Sequence, residues 1–162
     1  MELPKAKFIL TAKGFARLEE ELEQLQRKRH EVAGNIRTAK AYGDLSENFE
    51  YHEAKREQGF VEGRIMELKV ILPAAHVVRP EDVSTESVAF GTRVRIRDLE
   101  FDEEWDWGIV GPLEANPDED KISYESPIGE ALMGRKVGDV VEIDVPAGKA
   151  RYEIVGIDVL AP

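Results

Sequence analysis

Two apolar stripes of helical period, separated by a glycine and closed by a proline, constrain the first half of this chain more than any other feature. From Thr11 onward, Phe15, Leu18, Leu22 and Leu25 recur at alternating intervals of three and four, the heptad seam of a coiled coil. Arg29 takes the next seam position as a charged defect. Val32, Ile36 and Ala39 then resume the stripe before Gly43, a residue type that ends helices in the left-handed conformation. A second stripe starts at Tyr51, runs through Ala54, Gln58, Val61, Ile65, Leu68 and Leu72, and stops at Pro73, which is poorly tolerated inside a continuing helix. Phe15 and Leu72 lie almost equally far from Gly43, so folding back at the glycine brings the stripes into register as an antiparallel hairpin. With roughly thirty residues per arm and about 1.5 Å of rise per residue, the hairpin is a finger about 45 Å long.

After Pro80-Glu81-Asp82 the period changes. Val94 and Ile96 alternate with Arg93, Arg95 and Arg97, and similar alternation runs through Trp105, Trp107 and Ile109, through Val141, Ile143 and Val145, and on to Tyr152 and Ile154. These are antiparallel strands with one wet face. Ser126-Pro127 supplies an N-cap and a first-turn proline for one short helix that Gly134 stops. The chain therefore reads as α+β, with a coiled-coil hairpin over residues 1–76 and a small mixed domain over 77–162. Residues 98 to 106 form a dense acidic loop with aromatic residues.

Composition narrows the function classes. The 162 residues include no cysteine, which removes disulfide frameworks, zinc-thiolate sites and thiol nucleophiles and fits a reducing, cytoplasmic setting. The start, MELPKAKFILTAKG, lacks an apolar run of signal-peptide length, and no segment reads as a membrane span. The net charge of −11 is unevenly spread: residues 1–75 hold 13 basic and 13 acidic side chains, and residues 76–162 hold 9 and 20. So acidic a second half repels phosphate backbones, and a basic protein surface is the better partner. His30, His52 and His76 are too scattered for a ligand set or a triad. Gly134 and Gly138 around Arg135-Lys136 mark turns, because no strand-to-helix glycine array accompanies them.

The fold-back carries two acids, Asp44 and Glu47, in the string GDLSENFEY. Asp-x-x-Glu is a helix-start signature in which the aspartate caps free amides and the glutamate reaches back. The same spacing on a thin arm also suits carboxylates delivered into a partner's cleft, where they would bind a divalent cation or assist proton transfer. Spacing alone leaves both readings open.

GDLSENFEY resembles the GDLSENAEY signature of the bacterial GreA/GreB transcript cleavage factors. The likeness extends upstream through FILTAKGFARLEEELEQL, and downstream through YHEAKREQGFVEGRIMELKVIL and IVGPLEANPDEDKISYESPIGEALMGRKVGDVVEIDVPAGKARYEIVGI. Lys13, Phe49 and the acidic 98 to 106 loop depart from the family pattern and leave the acidic pair intact. The resemblance, closest to the GreA type, implies a second domain of FKBP-like fold and a monomeric, cytoplasmic factor acting on bacterial RNA polymerase. The globular half would grip the mouth of the secondary channel while the finger reaches the active centre, where the polymerase cleaves a backtracked RNA 3′ end.

On the matching positions Asp44 would help hold the second Mg²⁺ of that centre, shared with the polymerase, and Glu47 would orient or deprotonate the attacking water. The chain would need no cofactor of its own. Arg37, Lys40, Lys55 and Arg56 flank the tip as candidate RNA contacts, and equally as ordinary helix-surface charges. Tyr51 is either a base-stacking ring or a seam residue, and its heptad position favours the seam. Glu125, Ser126, Pro127 and Ile128 correspond to the family's polymerase-docking loop, with Ser126 also a helix cap. Three other functions compete: a channel-binding paralogue that inhibits polymerase, a peptidyl-prolyl isomerase suggested by the fold alone, and a coiled-coil scaffold.

Overall fold

The computed structural model describes residues 8–43 and 47–161. The described chain divides into two compact units, Phe15–Ala75 and the remainder.

The first unit is a pair of helices. Helix α1 runs Ala12–Lys40 and α2 runs Phe49–Ala74. Contacts between them run in opposite senses: Glu21 meets Arg64, Arg29 meets Glu62, and Ala39 meets Asn48. The pair is therefore antiparallel. Its seam follows the stripes, with Val32, Ile36 and Ala39 buried on α1 and Ala54, Val61, Ile65 and Leu68 buried on α2. Toward the base Ile71 is buried, while Leu72 is only half-buried. Burying one such aliphatic side chain contributes about 1.5–3 kcal/mol, and a two-helix seam offers few of them. Ion pairs supplement it. Arg29, the defect in the first stripe, forks onto Glu62 with Nε–Oε1 at 2.6 Å and a second bond at 2.8 Å. Arg64 forks onto Glu21 at 2.6 and 3.0 Å, and Lys28 meets Glu57 at 3.1 Å. The hydrogen bonds that Arg64 donates to Glu21 hold its guanidinium well above its usual value. Helix α2 continues one residue beyond Pro73, whose missing N–H costs only one bond in a final turn.

The second unit is a five-stranded sheet with one short helix. Strands β3 (Thr92–Asp98), β4 (Glu104–Val110), β5 (Lys121–Ser123), β6 (Val140–Val145) and β7 (Gly148–Val159) lie in the order β5-β4-β3-β7-β6. Helix α3 is Pro127–Leu132. Alternation along β3 sends Val94 and Ile96 to one face, where they are fully buried with Ile109, Leu132 and Ile154. Arg93, Arg95 and Arg97 take the other face, where Arg95 pairs with Asp106 at 3.0 Å and Arg97 with Glu153 at 3.1 Å. The architecture is α+β, as the change of period predicts.

Three features differ from the sequence expectation. The sheet is mixed, because β5 pairs parallel to β4. The acidic 98 to 106 stretch is divided, with Glu104 to Asp106 already in strand β4. Strands β1 (Phe8–Thr11) and β2 (Ala75–Val78) form a two-stranded sheet, so residues 8–14 group with the globular unit rather than with the hairpin. Glu114 holds this segment: it accepts from the Thr11 amide at 2.9 Å and from the Thr11 hydroxyl at 2.5 Å. That hydroxyl in turn accepts from the Gly14 amide at 3.0 Å. A Cβ at position 14 would run into the Glu114 carboxylate, which explains the glycine. Among the described residues no helix is long and apolar enough to cross a membrane.

Candidate functional site

The turn at the end of the hairpin is built by one amide side chain. Helix α1 unwinds through backbone bonds from Ala41 to Thr38 and from Tyr42 to Ala39, each at 3.1 Å, and Gly43 follows at φ +111°, a conformation that favours glycine. On the return, Asn48 has extended backbone geometry, and its Oδ1 accepts from the Tyr51 amide at 3.0 Å, the N-cap bond of α2. Its Nδ2 donates to the Ala39 carbonyl at 2.6 Å. One residue thus satisfies an orphan amide of α2 and reaches a carbonyl in the last turn of α1. Sequence reasoning missed it, although an asparagine directly before a helical run is a capping signal.

This geometry bears on Glu47, the described member of the acidic pair. The N-cap of α2 is Asn48, so Glu47 precedes the cap instead of occupying its third helical position. Glu47 is exposed and, among the described residues, makes no hydrogen bond or ion pair. Asp44 lies outside the described residues.

The four basic candidates differ in their engagements. Lys55 donates to Gln58 Oε1 at 3.0 Å and Arg56 meets Glu53 at 3.4 Å, both within α2. Arg37 and Lys40, in the last turn of α1, are exposed and form no ion pair among the described residues. Tyr51 packs on Val32, Ile36 and Ala54, as its seam position predicts, with its ring edge-on to His52.

Glu125, Ser126, Pro127 and Ile128 stay together at the start of α3. Ser126 Oγ accepts from the Gly129 amide at 3.1 Å and donates to the Ser123 carbonyl at 2.6 Å, while Pro127 takes the first helical position. Glu125 and Pro127 are exposed, and Ile128 packs on the core. Burial, with Glu125 nearby, raises the Tyr124 phenol above its usual value. Trp105 and Trp107 stack at 6.2 Å, and both meet Tyr152 edge-on. Among the described residues no three His, Asp or Glu side chains are grouped to hold a metal ion.

The chain is a helical hairpin ending in an exposed carboxylate, followed by a sheet unit with a capped surface loop, and family comparisons match both parts to one class of protein. The family description "Transcription elongation factor, N-terminal" matches residues 8–77, and "Transcription elongation factor, GreA/GreB, C-term" matches residues 83–159. The transcription elongation factor GreA of Clostridium perfringens is 51% identical over 156 residues, covering 96% of this chain and 99% of the relative. That of Clostridium novyi is 52% identical over 153 residues, covering 94% and 96%. Among solved structures, GreA factor homolog 1 of Thermus thermophilus is 34% identical over 93% of this chain and 97% of its own, with a TM-score of 0.43. This chain belongs to the GreA/GreB family of transcription elongation factors.

Proposed function

We propose that this chain enters the secondary channel of bacterial RNA polymerase and stimulates the polymerase's own cleavage of backtracked RNA 3′ ends, rescuing arrested complexes. The observation that carries the reading is Glu47: an exposed carboxylate at the end of a long hairpin, unpartnered among the described residues and relieved of capping duty by its neighbour. A side chain so placed makes no stabilising contact among the described residues and is offered to a partner.

The polymerase remains the enzyme. Glu47 orients or deprotonates the attacking water, and Asp44 helps hold the second Mg²⁺. Asp44 offers the hard oxygen donors that suit that ion, and the polymerase and water would supply its other ligands. When bound, the ion supplies an activated water and neutralises charge on the phosphoryl group. Arg37, Lys40, Lys55 and Arg56 offer cations to the extruded RNA, and Glu125 to Ile128 dock on the channel rim. The factor works as a cytoplasmic monomer.

General-base assistance contributes about 10²- to 10⁴-fold in rate. A stalled, backtracked polymerase complex incubated with wild type should shorten its RNA rapidly. Asp44→Asn and Glu47→Gln should each lose nearly all of that acceleration while still competing with wild type for the polymerase. Equal shortening by all three proteins would end the proposal, and arrest of synthesis without shortening would assign the inhibitory role instead.

A further inference from the structure

Beside the tip, on one flank of the hairpin, an open groove of about 330 Å³ lies between the two helices. Two small buried side chains, Ala39 and Ala54, line it where it meets the seam. Its volume falls in the range of small-ligand sites. Tyr42 and Phe49 stand at the tip end, 70% and 77% exposed, and neither ring packs on another among the described residues. Leaving two large rings in water is unfavourable unless something covers them.

The walls select the occupant. Asn35 and Thr38 make the α1 wall neutral and polar, whereas Glu50, Glu53 and Glu57 line the α2 wall. Glu57 is paired with Lys28 at 3.1 Å and Glu53 meets Arg56 at 3.4 Å, while Glu50 has no partner among the described residues. None of Arg37, Lys40, Lys55 and Arg56 lines the groove. Helical period explains the segregation. With Val32, Ile36 and Ala39 facing α2, Asn35, Thr38 and Tyr42 fall on one side of the seam and Arg37 and Lys40 on the other. On α2, Ala54 separates Glu50, Glu53 and Glu57 from Lys55 in the same way. A phosphate chain is drawn to the basic flank and repelled by the acidic one. A guanidinium matches the groove twice over, because it stacks on aromatic faces and donates in a planar fork to carboxylates.

We propose that the groove receives an arginine side chain presented by the polymerase wall, a second protein contact of the finger separate from the chemistry of the tip. This inference rests on the polymerase reading above. Phe49 stands where the family signature has a small residue, so the contact distinguishes this chain within that pattern.

The test measures the affinity of labelled full-length protein for polymerase core enzyme free of nucleic acid, and for a backtracked complex. Phe49→Ala should weaken binding to the bare core by roughly 3- to 30-fold, the range from an exposed to a desolvated cation–π contact. It should raise the factor concentration for half-maximal RNA shortening by the same ratio. Helical content by circular dichroism guards against unfolding, since alanine is the better helix former. Phe49→Tyr should restore affinity, and Glu50→Gln with Glu53→Gln should weaken binding and flatten its salt dependence. Unchanged affinity of these variants for the bare core overturns the inference. A loss confined to the backtracked complex also overturns it, by assigning the groove to an RNA base. If wild type itself fails to bind core enzyme, the functional reading falls and this one with it; if wild type binds and the variants match it, only this one falls.

Discussion

Asn48 does with one amide what a tight helical hairpin needs twice: an acceptor for a free N–H at the start of α2 and a donor toward the end of α1. Asn48→Ala removes both. Losing an N-cap costs about 0.5–2 kcal/mol and an additional hydrogen bond about 1 kcal/mol, so urea unfolding of the hairpin should show a loss of about 2 kcal/mol. Asn48→Asp keeps the acceptor for Tyr51 but sets a carboxylate against the Ala39 carbonyl, so it should fall between wild type and alanine. An aspartate variant no better than alanine would show that the Ala39 contact, not the cap, carries the stability. The string GDLSENFEY made the location of the site legible, but not the division of labour inside it. Asp44-x-x-Glu47 and Asn48-x-x-Tyr51 can both start a helix. Which one does so depends on where α1 unwinds, and that is set by backbone geometry around Gly43 rather than by the local pattern.

Among elements, the hairpin seam was the most legible, because two stripes of period 3.5 admit few other packings, and Arg29 shows how a break in such a stripe can be used. A charged residue at a seam position reads as a defect until its fork to Glu62 is seen. Both side chains keep 38–40% exposure, so the pair is only partly desolvated. A double-mutant cycle of Arg29→Ala and Glu62→Ala should give a coupling of about 0.5–1 kcal/mol, at the upper end for exposed pairs because the contact is bidentate. Coupling indistinguishable from zero would mark the fork as surface decoration. The sheet was less legible. Strands β3, β4, β6 and β7 announce themselves by alternation, whereas β5 has three residues and no period to read, so the parallel pair it makes with β4 went unforeseen. The short helix next to it was foreseen, and its tightness is testable. A Cβ at Gly129 would collide with the Ser123 backbone carbonyl, which cannot swing away as a side chain can. Gly129→Ala should therefore destabilise the sheet unit by about 1–3 kcal/mol, an overpacking cost seen as a lowered thermal midpoint.

For the whole molecule, the change of period near Pro73 and the uneven charge say that two units of different physics share one chain: a finger held by a thin seam and ion pairs, and a sheet unit held by a buried core beneath an acidic surface. They meet in their response to alkali. In the finger, the hydrogen bond to Glu57 raises the Lys28 ammonium. In the sheet unit, burial raises the Tyr124 and Tyr152 phenols above 10.0, with Glu125 and Asp98 adding in the same direction. Every one of these groups binds its proton more tightly folded than unfolded. The stability they contribute is complete below the unfolded value and is lost as pH rises through the folded one. The thermal midpoint should therefore fall as pH climbs past about 10. Tyrosinate absorbance should report the same event, because of the 4 tyrosines in the chain, Tyr124 and Tyr152 must ionise late. Replacing Tyr152 by phenylalanine should keep the edge-on packing against Trp105 and Trp107 and remove one late-titrating phenol. The alkaline fall should then be shallower, with Tyr124 and Lys28 still contributing. An unchanged alkaline limb in that variant would mean that the half-buried Tyr152 phenol does not govern the loss, and that Tyr124 and the Lys28 pair set it instead.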